Sequence, residues 1–271
     1  MLSTNSRWLT YINAGLYVVL GAFLFIRPEG FAPVFAWKVS PFMTMIIGGW
    51  CLGNAWLAFQ VARRWNWDST YASLIYFWVF GLAQLAVLIA FRDKVQSAHP
   101  IAQLYLIAVG LNALTAVVGI IEWARVRPSL RPAIMEISSP LIRIPLWGFV
   151  LFLYYAALYG LLIPAGGFAT NGEIFPEPLS AFTLRSFGAF FLSIALGATP
   201  FLKNRDRDAL LSHGYLSFGS IVVITIGEFV HFRVFDLSTY PFQIVFLGAY
   251  LIVGVVVAVM FAKYGTGNRK A

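Results

Sequence analysis

Residues 101–121 read IAQLYLIAVGLNALTAVVGII, a stretch of 21 residues without a charged side chain. A helix needs about 20 mostly apolar residues to cross the hydrocarbon core of a bilayer. Seven further stretches have a similar length and character, so the sequence predicts eight membrane-spanning helices. Their predicted ranges are 8–26, 42–62, 70–91, 100–122, 144–164, 183–202, 210–232 and 241–263.

The composition of the whole chain supports the same class of protein. Of the 271 residues, 60% are hydrophobic and only 11% are charged, whereas soluble domains carry roughly 25% charged residues. So few charges cannot cover a water-facing surface, which excludes soluble enzymes and nucleic-acid-binding domains. The predicted fold class is therefore an all-α integral membrane protein with eight transmembrane helices, and the lipid bilayer is its first expected partner.

The basic residues are divided unevenly between the two sides of the predicted membrane. The two termini and the loops after even-numbered spans hold Arg7, Arg63, Arg64, Arg125, Arg127, Arg131, Arg143, Lys203, Arg205, Arg207, Lys263, Arg269 and Lys270. The opposite side holds Arg27, Lys38, Arg92, Lys94, Arg185 and Arg233. Because basic loops stay in the cytoplasm, a multi-pass protein with both termini cytoplasmic is predicted. The net charge of +8 then reflects topology, and no nucleic-acid partner is expected.

The two halves of the chain share short sequence blocks in the same order. FRDKVQSAHP at 91–100 matches FRVFDLSTYP at 232–241. A second set of matches pairs Gly48, Leu52, Ala55 and Ala58 with Gly188, Leu192, Ala195 and Ala198. Four spans return the chain to its starting side, so the halves are predicted to be parallel four-helix repeats. The predicted units are 1–123 and 144–271, joined by a cytoplasmic linker at 124–143.

Gly48 and Gly188 each begin a run of small and apolar residues spaced by four and three positions. This spacing places the run on one face of a helix. Small residues let two helix backbones approach closely, and packing holds membrane helices together. We therefore expect both glycines to lie at close helix contacts.

The densest group of ionisable residues is GEFVHFRVFD at 227–236. Glu228 and His231 are three residues apart and share a helical face. An unpaired carboxylate inside a membrane is costly, so the sequence predicts an ion pair between Glu228 and Arg185 of the sixth span. Arg233 is the alternative partner, and His231 is expected beside the pair at the outer boundary. The same four residues could instead bind a ligand.

No metal site is predicted, and the sequence does not indicate a cofactor. A Glu-x-x-His motif is half of a di-iron site in a helix bundle, but the equivalent stretch of the first half has Val87 and Ala90 in place of the two ligands. His99 and His213 are expected at helix ends in contact with water. Two histidines that face each other, as a bis-histidine haem requires, are therefore not expected.

Three polar residues lie in the middle of predicted spans of the first half. They are Asn54, Gln84 and Asn112. Such residues form a polar pocket or connect helices by hydrogen bonds worth about 0.6 kcal/mol each. Their counterparts in the second half are Ile194, Thr225 and Val253, so a symmetric transport pathway is not indicated.

Two functions from different classes follow from this description. The first is a non-catalytic membrane subunit that packs against other membrane proteins or stabilises a larger assembly, as the scarcity of charges within the spans suggests. The alternative is a small transporter or carrier of an apolar molecule, such as a quinone or lipid, with its site near the outer end of the sixth and seventh spans. An enzyme that uses Glu228 and His231 as acid and base ranks third.

Overall fold

The computed structural model of the chain describes residues 2–128, 140–166, 173–203 and 206–264. Within these ranges the chain forms helices and turns, without a β-strand. The α-helices described there are α1 (Thr4–Ile26), α2 (Pro28–Phe31), α3 (Pro41–Arg64), α4 (Trp67–Ala90), α5 (Pro100–Val126), α6 (Pro140–Leu162), α7 (Ala181–Ala198), α8 (Arg207–Val230) and α9 (Gln243–Tyr264). All except the short α2 are long and apolar enough to cross a membrane. The prediction of eight such helices is confirmed for these residues.

The predicted linker at 124–143 is described only at its two ends. Helix α5 continues to Val126, and α6 begins at Pro140. Residues 129–139 lie outside the described part of the chain, and the linker between the two predicted units stays a prediction there.

Polar caps separate one apolar helix from the next. The hydroxyl oxygens of Ser3, Ser40 and Ser180 each accept a hydrogen bond from the backbone N–H three residues further on, at the starts of α1, α3 and α7. These caps satisfy backbone donors that the first turn of a helix leaves unpaired. Helices α3 and α5 end at Trp65 and Arg127, whose φ angles of 36° and 42° turn the chain out of the helix.

The helices pack in pairs, both within each half of the chain and between the halves. Helix α1 packs along α3 and α6 along α7, while α4 packs along α5 and α8 along α9. Between the halves, α3 lies against α8 and α4 lies against α7. In this interface Trp50 of α3 stacks on Phe190 of α7, with ring centroids 4.7 Å apart. Helix α9 lies at the periphery, since only Gln243 and Phe246 are buried among its described residues.

Gly48 and Gly188 lie at close helix contacts, as the sequence predicted. A Cβ atom on Gly48 would stand 2.7 Å from the backbone nitrogen of Phe25 in α1. A Cβ atom on Gly188 would stand 2.7 Å from the backbone carbon of Gly160 in α6. Real Cβ atoms do not approach backbone this closely, so α1–α3 and α6–α7 can pack at these distances only without a side chain there.

The loop before α3 is joined to the loop before α7. The indole ring of Trp37 stacks on Phe182 with centroids 4.4 Å apart, and its Nε1–H donates to Thr183 Oγ1 at 3.0 Å. The Ser40 hydroxyl donates a hydrogen bond to the carboxyl group of Glu177. Burial raises the pKa of Glu177, and the hydrogen bond from Ser40 opposes this rise. These contacts connect the two halves at the end of the bundle opposite the N-terminus.

Replacing Glu177 by glutamine is expected to stabilise the fold at neutral pH and to have less effect in acid. The folded state raises the pKa of this carboxyl group, so its contribution to stability is most favourable below the unfolded pKa and is lost as the pH rises through the folded pKa. Glutamine keeps an acceptor for Ser40 and removes the charge. Thermal unfolding in detergent at several pH values measures the difference, with Asp93→Asn as an exposed control. A gain that is equal at all pH values would contradict this account.

Candidate functional site

A cavity of about 730 Å³ lies among α6, α7, α8 and α9. Its walls are mostly aromatic and aliphatic; the phenylalanines that line it are Phe149, Phe152, Phe175, Phe187, Phe190, Phe191, Phe201, Phe246 and Phe261. Along α9 the lining residues extend from Val245 to Phe261, a distance of about 24 Å at 1.5 Å per residue. The cavity is therefore long, apolar and comparable in length with a membrane hydrocarbon core of about 30 Å.

The cavity reaches the protein surface between α6 and α9. Phe152 and Tyr155 of α6 and Ile252 and Val256 of α9 line the cavity and are also exposed. Helix α6 is held by α7, and α9 is held by α8, but α6 and α9 share no contact of similar extent among the described residues. In the first half of the chain, α1 packs directly against α5. The second half therefore has a gap where the first half is closed.

His213 supplies a polar group near one end of this apolar cavity. It lies in the second turn of α8, lines the cavity and is only 8% exposed. Its Nδ1 atom lies 2.9 Å from the Ser73 hydroxyl oxygen of α4, and the Phe201 ring packs 5.5 Å from its ring. The expectation that His213 is water-accessible was wrong, because α4 and the turn before α8 cover this helix end.

Glu228 is fully buried and forms no ion pair with any residue that the structure describes. Neither of its carboxylate oxygens has a hydrogen-bond partner in that part of the chain, although the Tyr250 side chain of α9 lies close enough to interact electrostatically. The hydroxyl group of Tyr250 is buried without a partner as well. The predicted ion pair between Glu228 and Arg185 does not form in the structure.

Arg185 binds backbone carbonyl groups instead of Glu228. Its Nη1 atom donates to the carbonyl oxygens of Gly160 and Ile163 at 2.8 Å each. These carbonyls lie at the C-terminal end of α6, where the last turn of a helix leaves acceptors unpaired and favours a positive charge. Arg185 therefore caps α6 and fixes it against α7.

The other two members of the predicted cluster form no hydrogen bond or ion pair with Glu228 among the described residues. Arg233 is exposed, and His231 is half-buried with its ring 5.7 Å from that of Phe42. The Nδ1 atom of His231 lies 3.4 Å from the carbonyl oxygen of Gly227. The structure thus does not bring Arg185, Glu228, His231 and Arg233 together into one site, and none of the four lines the cavity.

The three mid-span polar residues are all buried but do not share a pocket. Asn112 donates to the hydroxyl of Tyr17 at 3.0 Å, which joins α5 to α1. Gln84 donates to the carbonyl oxygen of Ser186 at 2.9 Å, which joins α4 to α7. Asn54 of α3 is fully buried and interacts with the Tyr76 side chain of α4. Two of the three thus connect helices, which is the second of the two roles expected for them.

Comparisons of the chain with protein-family models, with curated proteins and with solved structures found no match.

Proposed function

We propose that this chain is a multi-pass membrane protein built from two parallel four-helix units, whose second unit holds a lipid-soluble molecule between α6 and α9. The first unit comprises α1, α3, α4 and α5, and the second comprises α6 to α9. The helix pairs support this division. If α3 corresponds to α7 and α4 corresponds to α8, a two-fold rotation about the membrane normal converts the α3–α8 contact into the α7–α4 contact, and both contacts are present. The close contacts Gly21–Gly48 and Gly160–Gly188 also occupy matching positions in the two units.

Both termini lie in the cytoplasm in this proposal. The support is the excess of basic residues on the side that holds the N-terminus and the α5–α6 connection. Reporter fusions after residues 33 and 170 are expected to be active outside, and a fusion after residue 130 is expected to be active inside. A reversal at any of the three positions would contradict the orientation.

The gap in the second unit follows from a change of side chains at matching positions. In the first unit two hydrogen bonds close α1 against α5: Asn13 to Thr115 at 2.7 Å and Asn112 to Tyr17 at 3.0 Å. We align α1 with α6 by matching Trp8 to Trp147, and α5 with α9 by matching Leu106 to Leu247. Asn13 and Tyr17 of α1 then correspond to Phe152 and Ala156 of α6. Thr115 and Asn112 of α5 correspond to Val256 and Val253 of α9. All four line the cavity. The second unit has therefore lost the polar contacts that close the first.

The open, apolar cavity is the observation that carries the ligand proposal. An apolar cavity gives water too few hydrogen-bond partners, whereas a hydrocarbon chain gains dispersion contacts with its walls. The exposed lining residues of α6 and α9 give a molecule dissolved in the bilayer direct lateral access. The cavity spans the second unit over most of its length and is not confined to the outer ends of the sixth and seventh spans.

Gentle purification followed by mass spectrometry of the extracted small molecules tests this function. We expect a compound with a long hydrocarbon chain at a near-constant ratio to protein. The double variant Ala156→Tyr with Val253→Asn, which copies the closure of the first unit, is expected to lower this ratio about tenfold. Ala156→Trp, which fills the cavity without a new polar contact, should do the same.

Ala86→Trp is the matched control because Ala86 is exposed on α4 and does not line the cavity. An unchanged ratio in both closing variants, or an equal loss in the control, would contradict the proposal. The non-catalytic subunit predicted from the sequence is tested by the same purification. A stoichiometric partner protein with no bound hydrocarbon compound would favour that function over the carrier.

A further inference from the structure

The hydrogen bond between Ser73 and His213 has a defined direction. The Ser73 hydroxyl is fully buried, and its only hydrogen-bond partner among the described residues is His213 Nδ1. Its proton must therefore point to Nδ1, because any other direction would leave a buried donor unpaired. A neutral imidazole that accepts at Nδ1 carries its proton at Nε2. Ser73 thus makes Nε2 of His213 a hydrogen-bond donor.

His213 lines the cavity, and its Nδ1 atom is directed at Ser73 of α4. The Nε2 atom, at the other edge of the ring, is therefore the ring nitrogen that is left for a molecule in the cavity. Nε2 donates no hydrogen bond to the described protein groups and is not among the buried atoms that lack a partner. The hydroxyl groups of Ser217, Ser220 and the lining tyrosines can donate or accept, so they do not select one kind of head group. His213 does select, because at Nε2 it only donates.

The charge of the lining limits the head group further. None of the described residues that line the cavity is lysine or arginine. A carboxylate or phosphate held there would be desolvated without a counter-charge, which is strongly unfavourable. A carbonyl oxygen needs only one donor and carries no net charge.

Resting on the proposed ligand site, we infer that the cavity selects an uncharged molecule with a hydrogen-bond-accepting head and a hydrocarbon tail, the class to which quinones and long-chain ketones belong. The head lies at His213, near the α8 end of the cavity that holds Phe201. The tail extends along α9 towards Phe246. His213 is the residue that distinguishes this class from plain hydrocarbons, and the absence of lysine and arginine from the described lining distinguishes it from lipids with anionic heads.

A matched pair of probes separates the role of the head from that of the tail. Decylbenzoquinone and decylbenzene have the same tail, but only the quinone has carbonyl acceptors. Scanning calorimetry of the purified full-length protein, with bound compounds first removed, measures the affinity of each probe from the rise of the unfolding midpoint with probe concentration. We expect decylbenzoquinone to bind about tenfold more tightly than decylbenzene, the value of one net hydrogen bond.

Variants at the donor locate the effect. His213→Leu is expected to weaken decylbenzoquinone about tenfold and to leave decylbenzene unchanged. His213→Gln, which can place an amide donor near the position of Nε2, should restore part of the preference, and this variant keeps the test informative if leucine prevents folding. His99→Leu is the matched control because His99 is exposed and lies outside the cavity.

The outcomes separate the inference from the proposed function. Equal affinity for the two probes in the unaltered protein, or an unchanged preference in both His213 variants, would overturn the inference and leave the apolar site standing. Tighter binding of decanoate than of decylbenzoquinone would overturn it as well. No midpoint shift with any probe would overturn the proposed function itself.

Discussion

Replacing Gly188 by leucine is expected to lower the free energy of unfolding by about 1–3 kcal/mol, the usual cost of overpacking a tight contact. The Cβ atom would stand 2.7 Å from backbone atoms of Gly160 and Leu161, which cannot rotate away as a side chain can. Helices α6 and α7 would have to separate, and the cavity between α6 and α9 would change shape. Denaturant titration in detergent, together with the amount of bound hydrocarbon compound, measures both effects. Gly48→Leu should destabilise α1–α3 in the same way.

Gly148→Leu is the matched control because Gly148 lies on the same helix, α6, and an added Cβ atom there meets no atom within 4 Å. Gly15→Leu serves the same purpose for α1. These two variants should unfold at the same denaturant concentration as the unaltered protein. If the variants at Gly188 and Gly148 are equally stable, the close contact does not hold α6 and α7 together.

Glu228→Met is expected to stabilise the protein by about 1–3 kcal/mol, because it removes a buried polar group that has no hydrogen-bond partner among the described residues. Methionine has a similar length and is apolar, so it can pack in the same place without burying a polar group. Glu228→Gln should give a smaller gain, since its amide group still lacks partners. Arg185→Met should instead destabilise by about 1.5–3 kcal/mol, because the charged guanidinium donates to two carbonyl groups of α6.

The double variant distinguishes these independent roles from an ion pair. If Glu228 and Arg185 do not touch, the two effects add to within about 0.5 kcal/mol. An ion pair would appear as a coupling well above that value, with Glu228→Met destabilising on its own. Gln84→Met is a control at a buried polar residue that does have a partner, the Ser186 carbonyl, and it should destabilise.

Part of the candidate site could be read from the sequence, and part could not. Gly188 was found from its repeated spacing, because a stripe of small residues on one helix face is a local property of the chain. Glu228 was identified as unusual for a similar reason, but its partner was assigned wrongly. The sequence predicted that Arg185 of α7 contacts Glu228 of α8. In the structure α7 packs along α6, and Arg185 contacts the carbonyl groups at the end of α6 instead. His213 gave no signal, since its burial depends on Ser73, 140 positions away.

What the sequence determined by itself is the class of fold. Eight long apolar stretches, separated by serine caps, prolines and charged loops, predict the eight long helices to within about four residues at each end. They do so because helix formation in an apolar medium depends on local hydrogen bonds and hydrophobicity. Only the tertiary structure decided where the apolar cavity lies. Whether α6 meets α9 depends on side chains about a hundred residues apart, such as Ala156 and Val253, which line the cavity instead of forming a contact like that of Tyr17 with Asn112. Both kinds of residue suit a membrane helix equally well, so hydropathy cannot distinguish a closed pair of helices from an open one.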